Sequence, residues 1–214
     1  MKGLIKYIAS KIDIDAYQRL MTYAILENKF RQVYLAPVYA RRELLWDECI
    51  ERQLDSRAKI TFVEFGVHAG YSINYFAQRN LHEDSTFIGL DSFEGLPEKW
   101  GAMPKGTFDK KGKPPETTDP RIIFIKGWFQ DTWDELNAHL SRVENLVVHY
   151  DADLYSSTLF ALTKMDTLKK SYVAIFDEFT GHETRAIFNY AQADLASVFF
   201  IGRTLWEETL WDKS

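Results

Sequence analysis

The sequence predicts an α/β protein built on a doubly wound, mostly parallel sheet, with a helical cap at the N-terminus. Three observations carry this. From Lys59 onward, short β-branched or aromatic runs alternate with helical stretches, and that alternation marks a sheet whose crossovers are helices. Most of the runs are too apolar to show one face to water, which suits strands covered on both sides. Glycines and carboxylates fall where the runs end, and in such sheets ligands bind beyond the strand ends.

Residues 1–58 form the expected cap. They are rich in Leu, Ala, Tyr, Arg and Glu, with no glycine after Gly3 and a single proline, Pro37. Leu20, Tyr23, Ala24 and Ile25, then Phe30, Val33 and Tyr34, recur at helical spacing. Two or three helices follow from this, with a break at Pro37. Residues 59–214 form the α/β domain. Strands are expected at 60–65, 86–90, 121–125, 146–150, 172–176 and 197–201, and helices at 71–80, 132–142, 154–169 and 183–195. Thr132 followed by Glu135 reads as a capping box that opens the second of these helices. No internal repeat is present.

One segment breaks the rhythm. Residues 92–120 hold five of the six prolines and four glycines and have no periodicity. Connections of this length are functional or disordered more often than not, so a lid is expected here. Its lysines (Lys99, Lys105, Lys110, Lys111, Lys113) are partly balanced by Glu98, Asp109, Glu116 and Asp119, the pattern of a solvated loop.

Composition narrows the function. The 214 residues are 46% hydrophobic and 27% charged, an ordinary globular balance. Lys and Arg number 26 against 31 Asp and Glu, a net charge of −5, which argues against a nucleic-acid partner. No apolar run approaches the roughly 18–20 residues that span a bilayer. The opening MKGLIKYIASKIDID is interrupted by Lys6, Lys11 and Asp13 and reads as an amphipathic helix, not a signal peptide. Cys49 is the single cysteine, so no disulfide framework or cysteine metal site arises within the chain. A cytoplasmic location is expected.

The first run leads into Glu64-Phe65-Gly66-Val67-His68-Ala69-Gly70-Tyr71-Ser72. A dinucleotide fingerprint needs glycine at i, i+2 and i+5; His68 and Tyr71 occupy the second and third places, so a pyrophosphate loses its close backbone approach. The pattern E-x-G-x-x-x-G suits a ligand without phosphates, whose ammonium an acidic group at the strand end can meet. The second run ends at Asp91, placed to accept hydrogen bonds from ribose hydroxyls, or else to cap a turn. The fourth and fifth runs end in Asp151, Asp153, Asp177 and Glu178. Carboxylates gathered on one edge repel one another unless a cation or a shared proton relieves them. Their hard oxygens suit Mg²⁺ or Ca²⁺, while Asp153 is the best placed to serve as a helix cap instead.

Taken together, Glu64–Gly70, the string Asp91-Ser92-Phe93-Glu94-Gly95-Leu96-Pro97, Gly127-Trp128-Phe129-Gln130-Asp131-Thr132, Asp151-Ala152-Asp153-Leu154-Tyr155-Ser156-Ser157-Thr158 and Asp177-Glu178-Phe179 occur in order. This series resembles the macrocin O-methyltransferase family of class I S-adenosylmethionine enzymes over about residues 60–200. The resemblance implies a Rossmann-like, mostly parallel seven-stranded sheet over 59–214, and a usually metal-dependent enzyme that methylates a hydroxyl of a sugar or other small natural product. By position it implies that Glu64, Gly66, Gly70 and Ser72 line the methionine part of S-adenosylmethionine. Asp91 would meet the ribose, Ser92 and Phe93 would flank the adenosine, and Trp128 or Phe129 would lie near the adenine. Asp151, Asp177 and Glu178 correspond to a Mg²⁺ site, with Asp151 or Asp153 taking the acceptor's proton. His68 stands where many such enzymes have glycine, and Glu178 is one methylene longer than the usual Asp. The implied partner is a small-molecule hydroxyl acceptor, with no nucleic acid or membrane, and a homodimer is left open. The competing readings are a nicotinamide-dependent oxidoreductase, disfavoured by the glycine spacing, and a degenerate fold retained for binding alone.

Other residues take plainer roles. His149, inside a strand, reads as a packed and hydrogen-bonded core histidine, and His182 as a loop histidine. Trp206 and Trp211 are expected to pack the last strands, and Cys49 to be buried and inert.

Overall fold

In a computed structural model of the chain, residues 2–141, 143, 145–179, 181–194, 198–204 and 209–213 are described. Two helices, α1 (Lys2–Ala9) and α2 (Ile14–Asn28), lead through a 3₁₀ turn (Arg31–Leu35) to a two-residue strand, β1 (Val38–Tyr39). Helix α3 (Arg42–Glu48) runs on into a π-helical turn (Cys49–Leu54). Then come β2 (Thr61–Phe65), α4 (Tyr71–Arg79), β3 (Thr86–Asp91), β4 (Ile122–Lys126), α5 (Phe129–His139), β5 (Leu146–Tyr150) and α6 (Tyr155–Asp166). The chain ends with β6 (Tyr172–Phe176), α7 (His182–Asp194), β7 (Val198–Thr204) and β8 (Thr209–Lys213).

The strands form one sheet in the order β1-β7-β8-β6-β5-β2-β3-β4. Every pairing is parallel except the two that β8 makes, with β6 and with β7. The doubly wound, mostly parallel α/β architecture expected from the sequence is therefore present. The strand count is not: the described sheet has eight strands rather than seven. Val38 and Tyr39 pair with Arg203 and Thr204 at the edge, and a two-residue run behind Pro37 carries no periodicity by which to read it. The expected capping box is absent too. Helix α5 starts three residues early, at Phe129, and Thr132 Oγ1 instead donates to Trp128 O one turn back (3.0 Å), an alternative partner that Ser and Thr commonly take within helices.

Alternation along the strands builds two cores. Val63, Phe65, Val148, Tyr150, Ala174 and Phe176 face one side, with Leu136, Leu162 and Ile187 from the helices. Phe62, Phe87, Val147 and Ile175 face the other, with Ile73 and Phe76. The N-terminal segment feeds both. Ile25, Leu26, Phe30 and Val33 join the first core, and Leu45, Trp46, Cys49 and Ile50 join the second. The cap is thus woven into the sheet's packing as well as lying over it. Cys49 is fully buried, as expected.

A ladder of rings stiffens the strand ends that matter most. Phe65 stacks on Tyr150 (5.8 Å, 13°) and Tyr150 on Phe176 (4.7 Å, 6°), while the Tyr150 and Tyr172 hydroxyls meet at 2.9 Å. Cross-strand aromatic pairs of this kind contribute on the order of 0.2–1 kcal/mol each. They fix β2, β5 and β6 just where Gly66, Asp151 and Asp177 emerge. Among the described residues no helix is long and apolar enough to cross a membrane.

Candidate functional site

A cavity of about 820 Å³ opens over the C-terminal ends of β2, β3, β5 and β6. Strand order reverses between β2 and β5, and this switch point is where open α/β sheets bind ligands.

On one side of the cavity the glycine loop turns out of β2. Gly66 has φ +94°, and a Cβ there would lie 1.8 Å from the Asp151 carbonyl oxygen. No larger residue lets the β2 and β5 loops pass so closely. Gly70, at φ +76°, is the N-cap of α4 and abuts Pro115 of the long loop. Asp91 ties this side together. Its Oδ2 accepts the N–H groups of Val67 and His68 (both 2.9 Å), and its Oδ1 accepts that of Phe93 (2.7 Å). Asp91 therefore does cap a turn, and it also lines the cavity, so the two sequence readings of this residue are compatible.

The other side is acidic. Asp151, Asp153, Asp177 and Glu178 all line the cavity. Burial and the Asp177 carboxylate push the Asp151 carboxyl well above its usual range. Burial, Asp177 and Asp91 raise Asp153 to about 7. Beneath them lies a buried network. His149 Nδ1 meets Glu64 Oε1 at 2.8 Å, and Ser72 Oγ donates to the same oxygen. Burial opposes protonation of His149, but the Glu64 carboxylate, aided by Asp151 and Asp177, outweighs it and raises the imidazole's pKa. With Nδ1 held by Glu64, the ring presents Nε2 on its other edge.

His149, Asp151 and Asp177 each offer one ligand atom, and these atoms lie within 4.8 Å of one another. Glu178, expected from the sequence to be the third metal ligand, is not in this group. It sits in the turn after β6, where its N–H donates to Glu183 Oε2 (3.2 Å). The chemistry of the trio fits a divalent cation: a histidine held at one nitrogen by a carboxylate and grouped with two further carboxylates is a common metal-site arrangement. An imidazole in the set suits Mn²⁺ or a neighbouring transition ion better than Mg²⁺, which favours oxygen alone.

Of the residues expected at the cofactor, Gly66, Asp91, Ser92, Trp128 and Phe129 line the cavity. Glu64, Gly70, Ser72 and Phe93 are not on its wall. Glu64 and Phe93 are buried in the core, Phe93 turned inward by φ +57°, and Ser72 is spent on Glu64. His149 is the buried, hydrogen-bonded histidine expected, and His182 is the first residue of α7 rather than a loop residue. Trp206 lies outside the described residues, as does the side chain of Trp211.

Two groups at this site carry no sequence signal. Arg42, from the first turn of α3, places Nη1 3.1 Å from Asp177 Oδ1 and lines the cavity. Glu183 on α7 is 1% exposed. Burial, Asp177 and Asp151 together raise its carboxyl well above the usual range. An acid in the first turn of a helix reads from sequence as a dipole partner, so its burial is visible only in three dimensions. The long loop supplies much of the remaining wall through Leu96, Pro97, Trp100, Met103, Lys105 and Phe108. Glu98 accepts from Ser156 Oγ on α6 (2.9 Å).

No protein-family model and no curated protein sequence matches the chain. Solved structures do resemble it. The calicheamicin methyltransferase CalS11 superposes with a TM-score of 0.55 at 17% identity, over 86% of this chain and 87% of that one. An apo form of CalS11, described as a TDP-rhamnose 3′-O-methyltransferase, gives 0.51 at 18% identity over 86% and 88%. An O-methyltransferase from Bacillus cereus in complex with SAH gives 0.54 at 11% identity over 99% and 96%. The chain therefore has the Rossmann-like fold of class I S-adenosylmethionine-dependent methyltransferases. At these identities the likeness establishes the fold alone.

Proposed function

We propose that this chain is an S-adenosylmethionine-dependent O-methyltransferase of the macrocin O-methyltransferase type, acting on a hydroxyl of a small molecule such as a sugar or other natural product with help from a divalent cation. One observation carries the reading. A single cavity at the strand-order switch joins a nucleoside-type wall, with Asp91 for ribose hydroxyls and Trp128 and Phe129 for a base, to a proton- and cation-binding wall of Asp151, Asp153 and Asp177. The net charge of −5 favours a small acceptor over nucleic acid.

The chemistry asked of the protein is modest, because the sulfonium methyl is already electrophilic. The acceptor oxygen attacks the methyl carbon in line as the carbon–sulfur bond breaks, and the hydroxyl proton passes to a carboxylate. Holding the two reactants in one cavity supplies most of the advantage. Asp153 lines the cavity and is suited to take the proton, since its pKa near neutrality matches that task. His149, Asp151 and Asp177 would hold the divalent cation, whose contribution is to acidify the hydroxyl. Glu64 fixes the His149 ring, and the long loop walls the cavity against water.

Calorimetric titration of the purified chain tests the cofactor. Micromolar binding of S-adenosylhomocysteine with none of NAD is expected; equal affinity for NAD would overturn the reading in favour of an oxidoreductase. Labelled methyl transfer to a panel of glycosides and nucleotide sugars then tests the reaction, and EDTA should abolish it and Mn²⁺ or Mg²⁺ restore it. Full turnover in excess EDTA would reduce the carboxylates to proton transfer and substrate binding.

A further inference from the structure

Every acid on the cavity's metal-side wall comes from the α/β domain, but the cation against it comes from the N-terminal segment. Arg42 Nη1 lies 3.1 Å from Asp177 Oδ1, and Asp177 also belongs to the His149–Asp151–Asp177 trio. The arginine is held in place from several directions. Its guanidinium lies 5.4 Å from the Trp46 ring and 5.6 Å from the Tyr71 ring, and Trp46 is fully buried. Helix α3 itself is strapped to α4. Tyr71 Oη donates to Glu43 Oε1 (2.9 Å), Tyr75 Oη to Asp47 Oδ1 (2.9 Å) and Arg79 Nε to the same oxygen (2.7 Å). A cation in the first turn of a helix opposes the helix dipole, so its place there depends on what it faces.

We infer that Arg42 is the resident counter-ion of the carboxylate cluster and competes with a divalent cation for Asp177, so that the N-terminal segment sets the metal affinity of the site. This rests on the metal-binding arm of the function proposed above. The physics is exchange at one carboxylate. A planar guanidinium in contact with Asp177 lowers the negative potential that attracts a second cation, and a metal drawing on Asp177 must loosen or displace it.

Mn²⁺ binding, followed by electron paramagnetic resonance of the free ion, tests this without any acceptor. Arg42→Gln is expected to tighten Mn²⁺ binding about fivefold, the scale of a partly exposed ion pair. In an Asp177→Asn background the same substitution should have no effect. If Arg42→Gln does not fold, Arg42→Met takes its place: it keeps an unbranched stem beside Trp46 but removes the charge, and should also bind Mn²⁺ more tightly than the parent. Equal or weaker Mn²⁺ binding in the folded variants, or no binding in any form, overturns the inference. S-adenosylhomocysteine titrated into the same samples reports separately on the methyltransferase reading. Its failure to bind would sink that reading while leaving an Arg42-dependent Mn²⁺ affinity standing.

Discussion

At the end of β3, Asp91 hands its two oxygens to three backbone N–H groups. At the ends of β5 and β6, Asp151 and Asp177 face each other, with a buried histidine below and an arginine from a distant segment alongside. These acids share one sheet edge and one cavity, yet their surroundings give them different work. A carboxylate solvated by fixed backbone amides is pinned in place, a geometry suited to orienting neutral hydroxyls. Carboxylates that face one another retain a demand for a proton or a cation. Residue type alone does not separate the two sides; the donors do.

The sharpest way to break this comparison is Asp151→Asn. It should lower methyl transfer by roughly 10²–10⁴-fold, because the proposed cation that Asp151 would help hold assists loss of the acceptor's proton, while S-adenosylhomocysteine affinity measured by calorimetry stays within about threefold. A parallel collapse of both would mean that the two sides act as one.

Gly66 is where the sides touch. Gly66→Ala forces a Cβ into the Asp151 carbonyl at φ +94° and should cost about 3 kcal/mol or more in urea unfolding. Asp91→Ala removes the backbone anchor and the proposed ribose acceptor together. It should weaken S-adenosylhomocysteine by about 1–3 kcal/mol but leave Mn²⁺ affinity unchanged, and a change in the latter would blur the division.

The smallest effect is a pH signature on the acidic side. With its carboxyl raised to about 7, Asp153 in the folded, EDTA-treated protein keeps a proton that the unfolded chain loses near its ordinary pKa of about 4. Its contribution to stability is therefore present below about pH 4 and lost as the pH rises towards 7. Asp153→Asn should gain about 1–2 kcal/mol on the parent at pH 8 and much less at pH 5, by urea titration at both. An equal difference at the two pH values would show that the Asp153 environment is not the one described.

Much of this site could be read from the sequence because it is local. Gly66, Asp91, Asp151 and Asp177 lie at strand ends, with Asp153 in the loop just beyond β5, and strands of five or six residues rich in β-branched and aromatic side chains announce themselves. What escaped is what distance or direction decides. Glu64 sits mid-sheet, and its alternation points it into the core at His149, away from the cavity. Glu178 follows Asp177 in sequence, but the turn after β6 directs its backbone to Glu183, and it is His149 that lies grouped with Asp151 and Asp177. Arg42 meets a residue 135 positions away, and no local pattern encodes that meeting. β1 was invisible for the same reason, because two residues become a strand only when β7 lies beside them.

That last pairing has a consequence for how the molecule is made. Val38 bonds in register with Arg203, so a stretch that leaves the ribosome early has no strand to join until nearly the whole chain has followed. Helix α3 lies only a few residues beyond β1. Its anchors from Tyr71, Tyr75 and Arg79 come from α4 and do not wait for β7. A nascent chain in which β7 and β8 have yet to form leaves β1 and the outer edge of β6 unpaired, the kind of surface that invites association with other chains. Long-range closure of this sort is slow relative to local helix formation, so this edge stays open after the helices around it have formed.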